Sequence, residues 1–194
     1  MNYDIKGILE QHKQVIQVLL EDEQYFSDIE HIIKRSADAI LQGGKLLFCG
    51  NGGSASDAQH ISAELTGRFS MERRALPAIA LHENTSHLTA VANDYGYHRV
   101  YSRMIEALAN KGDVLFALST SGNSENILEA IREAKNRSVY IIGMTGRTGG
   151  KMKELTDQCI CIPSEETARI QEMHIMTGHI ICEGIEREIF GNRI

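Results

Sequence analysis

One device occurs twice in this chain and constrains its fold more than any other feature. A short apolar run ends in a Gly/Ser-rich turn, and a helix-like segment follows. The first copy is Leu46–Cys49 (LLFC), then Gly50-Asn51-Gly52-Gly53-Ser54, then a helical stretch carrying His60 and Glu64. The second is Asp113–Leu118 (DVLFAL), then Ser119-Thr120-Ser121-Gly122-Asn123-Ser124, then a helical pattern over Glu125–Lys135. Short apolar runs bounded by turn residues read as buried strands. Further strand-like runs lie near 77–81, 138–143 and 158–162, with Pro77 and Pro163 at strand edges, where proline is tolerated. The clearest helical segments between them are 54–67, 98–110 and 124–135, and a last helix fills roughly 166–190. Strands alternating with helices imply a parallel sheet covered on both faces.

Two helices precede the first strand. Ile5, Ile8, Leu9, Val15, Ile16, Leu19 and Leu20 recur at helical spacing, as do Phe26, Ile29, Ile32, Ile33, Ala37, Ile40 and Leu41. Gly43-Gly44 stops the second helix. Their apolar faces need a partner, either their own sheet or a second subunit, and symmetric homo-oligomers are the common case. The expected fold is therefore α/β, a three-layer doubly wound domain with a five-stranded parallel sheet and an N-terminal helical extension. Residues 1–194 form one domain, with 1–43 as the oligomer-packing helices and 44–194 as the α/β core and last helix. A strand order of 2-1-3-4-5 makes strands 1 and 3 neighbours at the switch point, where ligands bind beyond the carboxyl ends of the strands. The two Gly/Ser turns then converge on one pocket.

Each turn offers backbone N–H groups at a helix start, a natural anion site. The second adds hydroxyl donors. Each also reads as an ordinary turn or N-cap, but two of them, each directly after a strand, favour a phosphorylated ligand. His60 and Glu64 share one helix face and suit metal ligation or acid–base work. The formal net charge of −6 excludes a mainly electrostatic nucleic-acid binder, and 42% apolar with 24% charged residues describes a globular chain. Cys49, Cys159, Cys161 and Cys182 have no zinc-finger spacing and read as buried thiols, Cys159 and Cys161 on one strand face. The amphipathic start, MNYDIKGILEQHK, lacks an apolar signal core, and no apolar run approaches a membrane span. A cytoplasmic location, with no membrane or nucleic-acid partner, is the expectation.

GNGGSxxDAxH, LTGR at 65–68, AND at 92–94, STSGNS at 119–124 and ARIQEMHI at 168–175 together resemble the phosphoheptose isomerases, which are sugar isomerase (SIS) domain enzymes. The similarity runs from the first helices to the last, with several motifs in the same order. It implies homotetramers with active sites between subunits. The implied activity is conversion of sedoheptulose 7-phosphate to D-glycero-D-manno-heptose 7-phosphate, a step toward heptose precursors of lipopolysaccharide or capsule. It also implies one Zn²⁺ per subunit, with His60, Glu64, Gln171 and His179 as ligands. By the 3.6-residue repeat, Gln171 and His179 lie about 80° apart around one helix. Sugar contacts are implied for Asn51, Gly52, Gly53, Glu64, Asn93, Asp94 and Gln171, and phosphate contacts for Ser119, Thr120, Ser121 and Ser124. Arg68 is a further anion-contact candidate. Some relatives carry an Asp where this chain has Ala168, which leaves that Asp's role unassigned here.

The resemblance implies Glu64 and His179 as the pair that moves protons between C1 and C2 and between O1 and O2, through an enediol. A metal would polarise the carbonyl. Since a zinc-bound carboxylate is a weaker base, Glu64 is expected to be a loose ligand; a metal-assisted hydride shift stays open. The rivals are a non-catalytic SIS-domain protein that binds the replication initiator DnaA, and an isomerase for another sugar phosphate. Retention of both Glu64 and His179 favours an enzyme. His12 and His31 are expected at solvent or a subunit contact, His82, His87 and His98 near the pocket, and His174 as the residue most easily mistaken for a ligand.

Overall fold

The computed structural model describes residues 3–191. Two helices open the chain: α1 (Ile5–Leu20) is capped by Asp4, whose carboxylate accepts the Gly7 N–H at 2.9 Å. Asp22 does the same for α2 (Glu23–Leu41), accepting from Gln24 and Tyr25. The core then runs β1 (Leu46–Cys49), α3 (Gly53–Thr66), β2 (Ala78–Ala80), α4 (Thr85–Tyr95) and, after a 3₁₀ turn at Tyr97–Arg99, α5 (Val100–Leu108). It continues through β3 (Val114–Leu118), α6 (Glu125–Asn136), β4 (Tyr140–Thr145), α7 (Met152–Leu155), β5 (Gln158–Cys161) and α8 (Thr167–Phe190). The five strands are all parallel, in the order β2-β1-β3-β4-β5. That is the expected doubly wound sheet with β1 beside β3.

Alternate residues along each strand serve opposite faces. Leu46, Phe48, Val114, Phe116, Leu118, Ile142 and Met144 pack under α1, α2, α3 and α8. Leu47, Cys49, Leu115, Ala117 and Ile141 pack under α4, α5, α6 and α7. Phe48 and Phe116 lie opposite each other in the β1–β3 register and stack with centroids 4.8 Å apart. Buried Asp113 pins the start of this strand pair, accepting the Lys45 N–H at 2.9 Å and the Lys45 ammonium at 2.6 Å.

Several boundaries differ from the expected ones, each for a local reason. β4 starts at Tyr140, not 138, because Ser138 and Val139 complete the turn after α6, their N–H groups donating to Lys135 and Ala134 carbonyls. The expected helix 98–110 divides into the 3₁₀ turn and α5. α4 is a helix that the apolar pattern does not show, because Val91 is its one buried residue. The cysteines also divide: Cys49 and Cys182 are buried, but Cys159 and Cys161 are half-buried, since β5 is an edge strand. The helical extension satisfies its apolar faces in part. Val15 and Leu19 join the core, while Ile5, Ile8, Leu9, Val18 and Leu20 stay 50–65% exposed.

Candidate active site

The two Gly/Ser turns meet at the carboxyl ends of β1 and β3. Asn51 and Asn126, the latter in the first turn of α6, exchange a reciprocal amide pair with both N–H···O bonds at 2.8 Å. The Tyr97 hydroxyl donates to Asn51 Oδ1 at 3.2 Å, and the buried Tyr101 hydroxyl donates to the Gly50 backbone carbonyl. Asn51, Tyr97, His98, Ser124, Glu125 and Asn126 line a cavity of about 420 Å³. A larger cavity, about 510 Å³, lies between α1 and the turn before α8 and contains none of the expected site residues.

The 119–124 turn gathers hydroxyls. Ser119 Oγ lies 3.2 Å from Ser124 Oγ and 3.5 Å from Ser121 Oγ. Ser124 is the N-cap of α6, yet its side chain caps no N–H. The hydroxyls and the uncapped helix start therefore face the same space, which suits an anion. Thr120 is half-buried, and its carbonyl accepts the Gly146 N–H. The 50–54 turn begins α3 in the same way, with Gly52 at an N-cap that no side chain bonds.

The titratable cluster sits further along α3, where it packs against α8. Gly178 permits the approach: a Cβ there would come within 2.4 Å of Ile61 Cδ1. His60 and His179 then meet, with Nε2 atoms 3.4 Å apart, and His60 Nε2 lies 2.9 Å from Glu64 Oε1. One donor atom each from His60, Glu64 and His179 falls within 4.8 Å of the others. Two imidazole nitrogens sharing a tetrahedral zinc at ordinary bond length lie about 3.4 Å apart. The donor set and its spacing thus fit a single Zn²⁺-type cation. Asp57, one turn before His60, adds a buried Oδ2 with no hydrogen-bond partner among the described residues. Burial raises its pKa, against a lowering by the nearby His60.

Gln171 reaches the site from α8. Its amide lies over the backbone of Gly53, where a Cβ would come within 2.5 Å of Nε2. It is therefore placed at the level of the 50–54 turn. Asn93 and Asp94 are exposed near the end of α4, with the Asn93 amide donating to Asp94 at 2.8 Å. In that segment Tyr97, with no motif to mark it, is the residue that reaches Asn51. Arg68 is exposed and 3.8 Å from Glu72. Ala168 is exposed in the first turn of α8.

The remaining histidines separate clearly. His174 is fully buried, with Nε2 3.3 Å from the Thr145 carbonyl, and burial lowers its pKa to about 4. It is a neutral core residue. His12 lies 2.8 Å from Glu172, and His31 packs edge-on to Tyr140. His87 bonds the Val100 carbonyl, and His82 packs on Tyr101. His98 is the one that lines the cavity beside Asn51.

A structure missed by motif reading holds the cluster in place. Glu186 is fully buried and accepts the N–H groups of Phe69, Ser70 and Met71 and the Arg73 Nε–H, each at 2.9 Å. Arg73 in turn donates to the carbonyls of Glu64, Leu65 and Gly67 at the end of α3. Phe69 is thereby held against the His179 ring, centroids 5.4 Å apart.

Comparison with known proteins places this arrangement. The SIS domain model matches residues 9–146. The chain is 51% identical to the phosphoheptose isomerase of Aliarcobacter butzleri, covering 92% of this chain and 93% of that protein. It is 50% identical to that of Helicobacter pylori, covering 91% of each. Among solved structures, the phosphoheptose isomerase of Francisella tularensis is similar with a TM-score of 0.89 at 35% identity, covering 96% of this chain and all of that one. That of Neisseria gonorrhoeae gives 0.83 at 39% identity, covering 93% and 97%.

Proposed function

The chain belongs to the phosphoheptose isomerases of the SIS-domain family, and from that premise we propose how its residues convert sedoheptulose 7-phosphate to D-glycero-D-manno-heptose 7-phosphate. The observation that carries the reading is the pairing of two elements on neighbouring α/β crossovers. One is a hydroxyl-lined turn at Ser119–Ser124 that suits a phosphate. The other is the His60–Glu64–His179 cluster that suits proton transfer.

The phosphate binds Ser119, Ser121 and Ser124 with the start of α6, and Thr120 contributes from the same turn. The sugar runs across Gly52, Gly53 and Gln171 toward the cluster. Asn51, fixed by Asn126 and Tyr97, keeps one amide hydrogen for a sugar hydroxyl. Asn93 and Asp94 act from α4, at the rim. Glu64 takes the proton from one of C1 and C2 and returns it to the other, while His179 moves the proton between O1 and O2. The ring of Phe69 and the α3–α8 contact fix the angle at which His179 presents its nitrogen. A Zn²⁺ held by His60, Glu64, Gln171 and His179 would supply Lewis-acid polarisation of the carbonyl.

The cluster lies at the surface, with His60 half-exposed, and α1 leaves Ile5, Ile8 and Leu9 exposed. Both features support a homotetramer in which subunits close each other's sites. No described helix is long and apolar enough to cross a membrane. The proposed setting is the cytoplasm, on a precursor of lipopolysaccharide or capsule. Incubation of purified protein with sedoheptulose 7-phosphate, followed by detection of the aldose phosphate, tests the reading. Aldose formation supports it, and absence of turnover with zinc supplied would refute it.

A further inference from the structure

β5 places Cys159 and Cys161 on one face, with their Sγ atoms 3.9 Å apart and in hydrogen-bond contact. Among the described residues β5 pairs only with β4, and its outer edge carries no strand. Both thiols are half-buried and open on a cavity of about 310 Å³ that Asp22, Tyr25, Asp28 and Lys153 also line. The two sulfurs are not equivalent. The bond with Cys159 lowers the Cys161 pKa to about 7, burial opposes that and Lys153 assists it, while Asp28 pushes the other way. The same bond, with burial, raises Cys159. The pair thus shares a hydrogen bond, and ionisation is favoured at Cys161, the last residue of the strand. The other two thiols lack these features. Cys49 is fully buried with its pKa raised by burial, and Cys182 is pushed up to about 12 by burial.

We propose that Cys159 and Cys161 form a modification site, a dithiol that a hydroperoxide oxidises to an intramolecular disulfide. The Cys161 thiolate attacks one peroxide oxygen and the O–O bond breaks. Sulfur is oxidised to the sulfenic acid, and the other oxygen leaves, takes a proton and becomes an alcohol or water. The Cys159 thiol then attacks Cys161 Sγ. The S–S bond forms, the S–O bond breaks, and the hydroxyl leaves with the Cys159 proton as water. Two thiols and one hydroperoxide give one disulfide, one alcohol and one water. Closing the sulfurs from 3.9 Å to bonding distance requires the strand to bend so that the Cβ atoms approach. Cys161 is the last residue of β5, and the chain leaves the sheet just before Pro163. The bend therefore displaces no strand on the outer side. A low-pKa, accessible thiolate beside a second thiol is the arrangement that oxidant-sensitive cysteines share.

The test is treatment of the reduced, full-length protein with hydrogen peroxide at neutral pH, followed by peptide mass mapping. The expected product is lighter by two hydrogen atoms in the peptide holding Cys159 and Cys161, with Cys49 and Cys182 still reduced and the mass restored by a dithiol reductant. The lowered pKa of Cys161, against the raised values of Cys49 and Cys182, makes it the first thiol to react. Cys159→Ser should halt at the Cys161 sulfenic acid, captured by dimedone. Cys161→Ser should lose the fast reaction, and both variants should keep isomerase activity. A disulfide between chains, first oxidation at Cys49 or Cys182, a Cys161 that overoxidises without a disulfide, or a Cys161→Ser protein as reactive as the parent would each overturn the proposal.

Discussion

Replacing Glu186 by Gln should destabilise this protein far more than its distance from the sugar suggests. The side chains of Glu186 and Arg73 are 0% and 2% exposed, and their Oε1···Nε contact is 2.9 Å. Gln keeps the size but leaves the Arg73 guanidinium buried without its counter-charge. It also turns an amide NH₂ toward the N–H groups of Phe69, Ser70 and Met71, which donate to the carboxylate at 2.9 Å. Breaking a buried pair from one side costs about 3–5 kcal/mol. For a chain of this length that is a fall of about 6–20 °C in Tm. Urea unfolding at fixed protein concentration measures it directly. The pH dependence gives a second check. Burial pushes the Glu186 pKa up, but the N–H and hydroxyl donors of Phe69, Ser70 and Met71 outweigh it, and the net value lies below the usual 4.5. A lowered carboxylate pKa stabilises above the unfolded value and loses that contribution as pH falls through the folded value. The gap between parent and variant should therefore be constant from neutral pH down to about 5 and shrink in more acidic solution. A cost under about 1 kcal/mol, the range of an exposed pair, or a gap that does not change in acid, would refute this reasoning.

Two further outcomes follow from the site. Ser121→Ala combined with Ser124→Ala should raise KM for the sugar phosphate with a smaller change in kcat, because ground-state phosphate binding is lost; an unchanged KM would place the phosphate elsewhere. Light scattering at micromolar concentration should give a tetramer, and Ile8→Asp with Leu9→Asp should dissociate it while the helix content is retained. A monomeric parent protein would contradict the assembly.

The layer order was legible because the strands are nearly unbroken apolar runs and the two Gly/Ser turns mark the switch point by position alone. His60 and Glu64 were legible as a pair because four residues make one helical turn. Joining them to His179 needed the family motif, since the contact depends on α3 and α8 approaching at Gly178, a long-range event that no local pattern reports. α4 was not legible: it buries only Val91, so its apolar periodicity is weak. The Glu186–Arg73 pair was hidden for the opposite reason. Two charged residues 113 apart in sequence look like surface residues until the fold removes both from water. Tyr97 and Asn126 carry no signal either, although they decide which way the Asn51 amide faces.

In the proposed reaction the α3–α8 cluster performs the isomerisation and Glu64 moves the carbon-bound proton. Steady-state turnover of sedoheptulose 7-phosphate by Glu64→Gln measures it most directly, because the amide keeps the size and hydrogen bonding of the carboxylate and removes its basicity. Loss of a positioned general base lowers kcat by about 10²–10⁴-fold. The fall should be of that size even with zinc supplied to saturation, with the fold, the oligomer and phosphate binding at Ser119–Ser124 unchanged. A Glu64→Gln protein that turns over within a few-fold of the parent would contradict it.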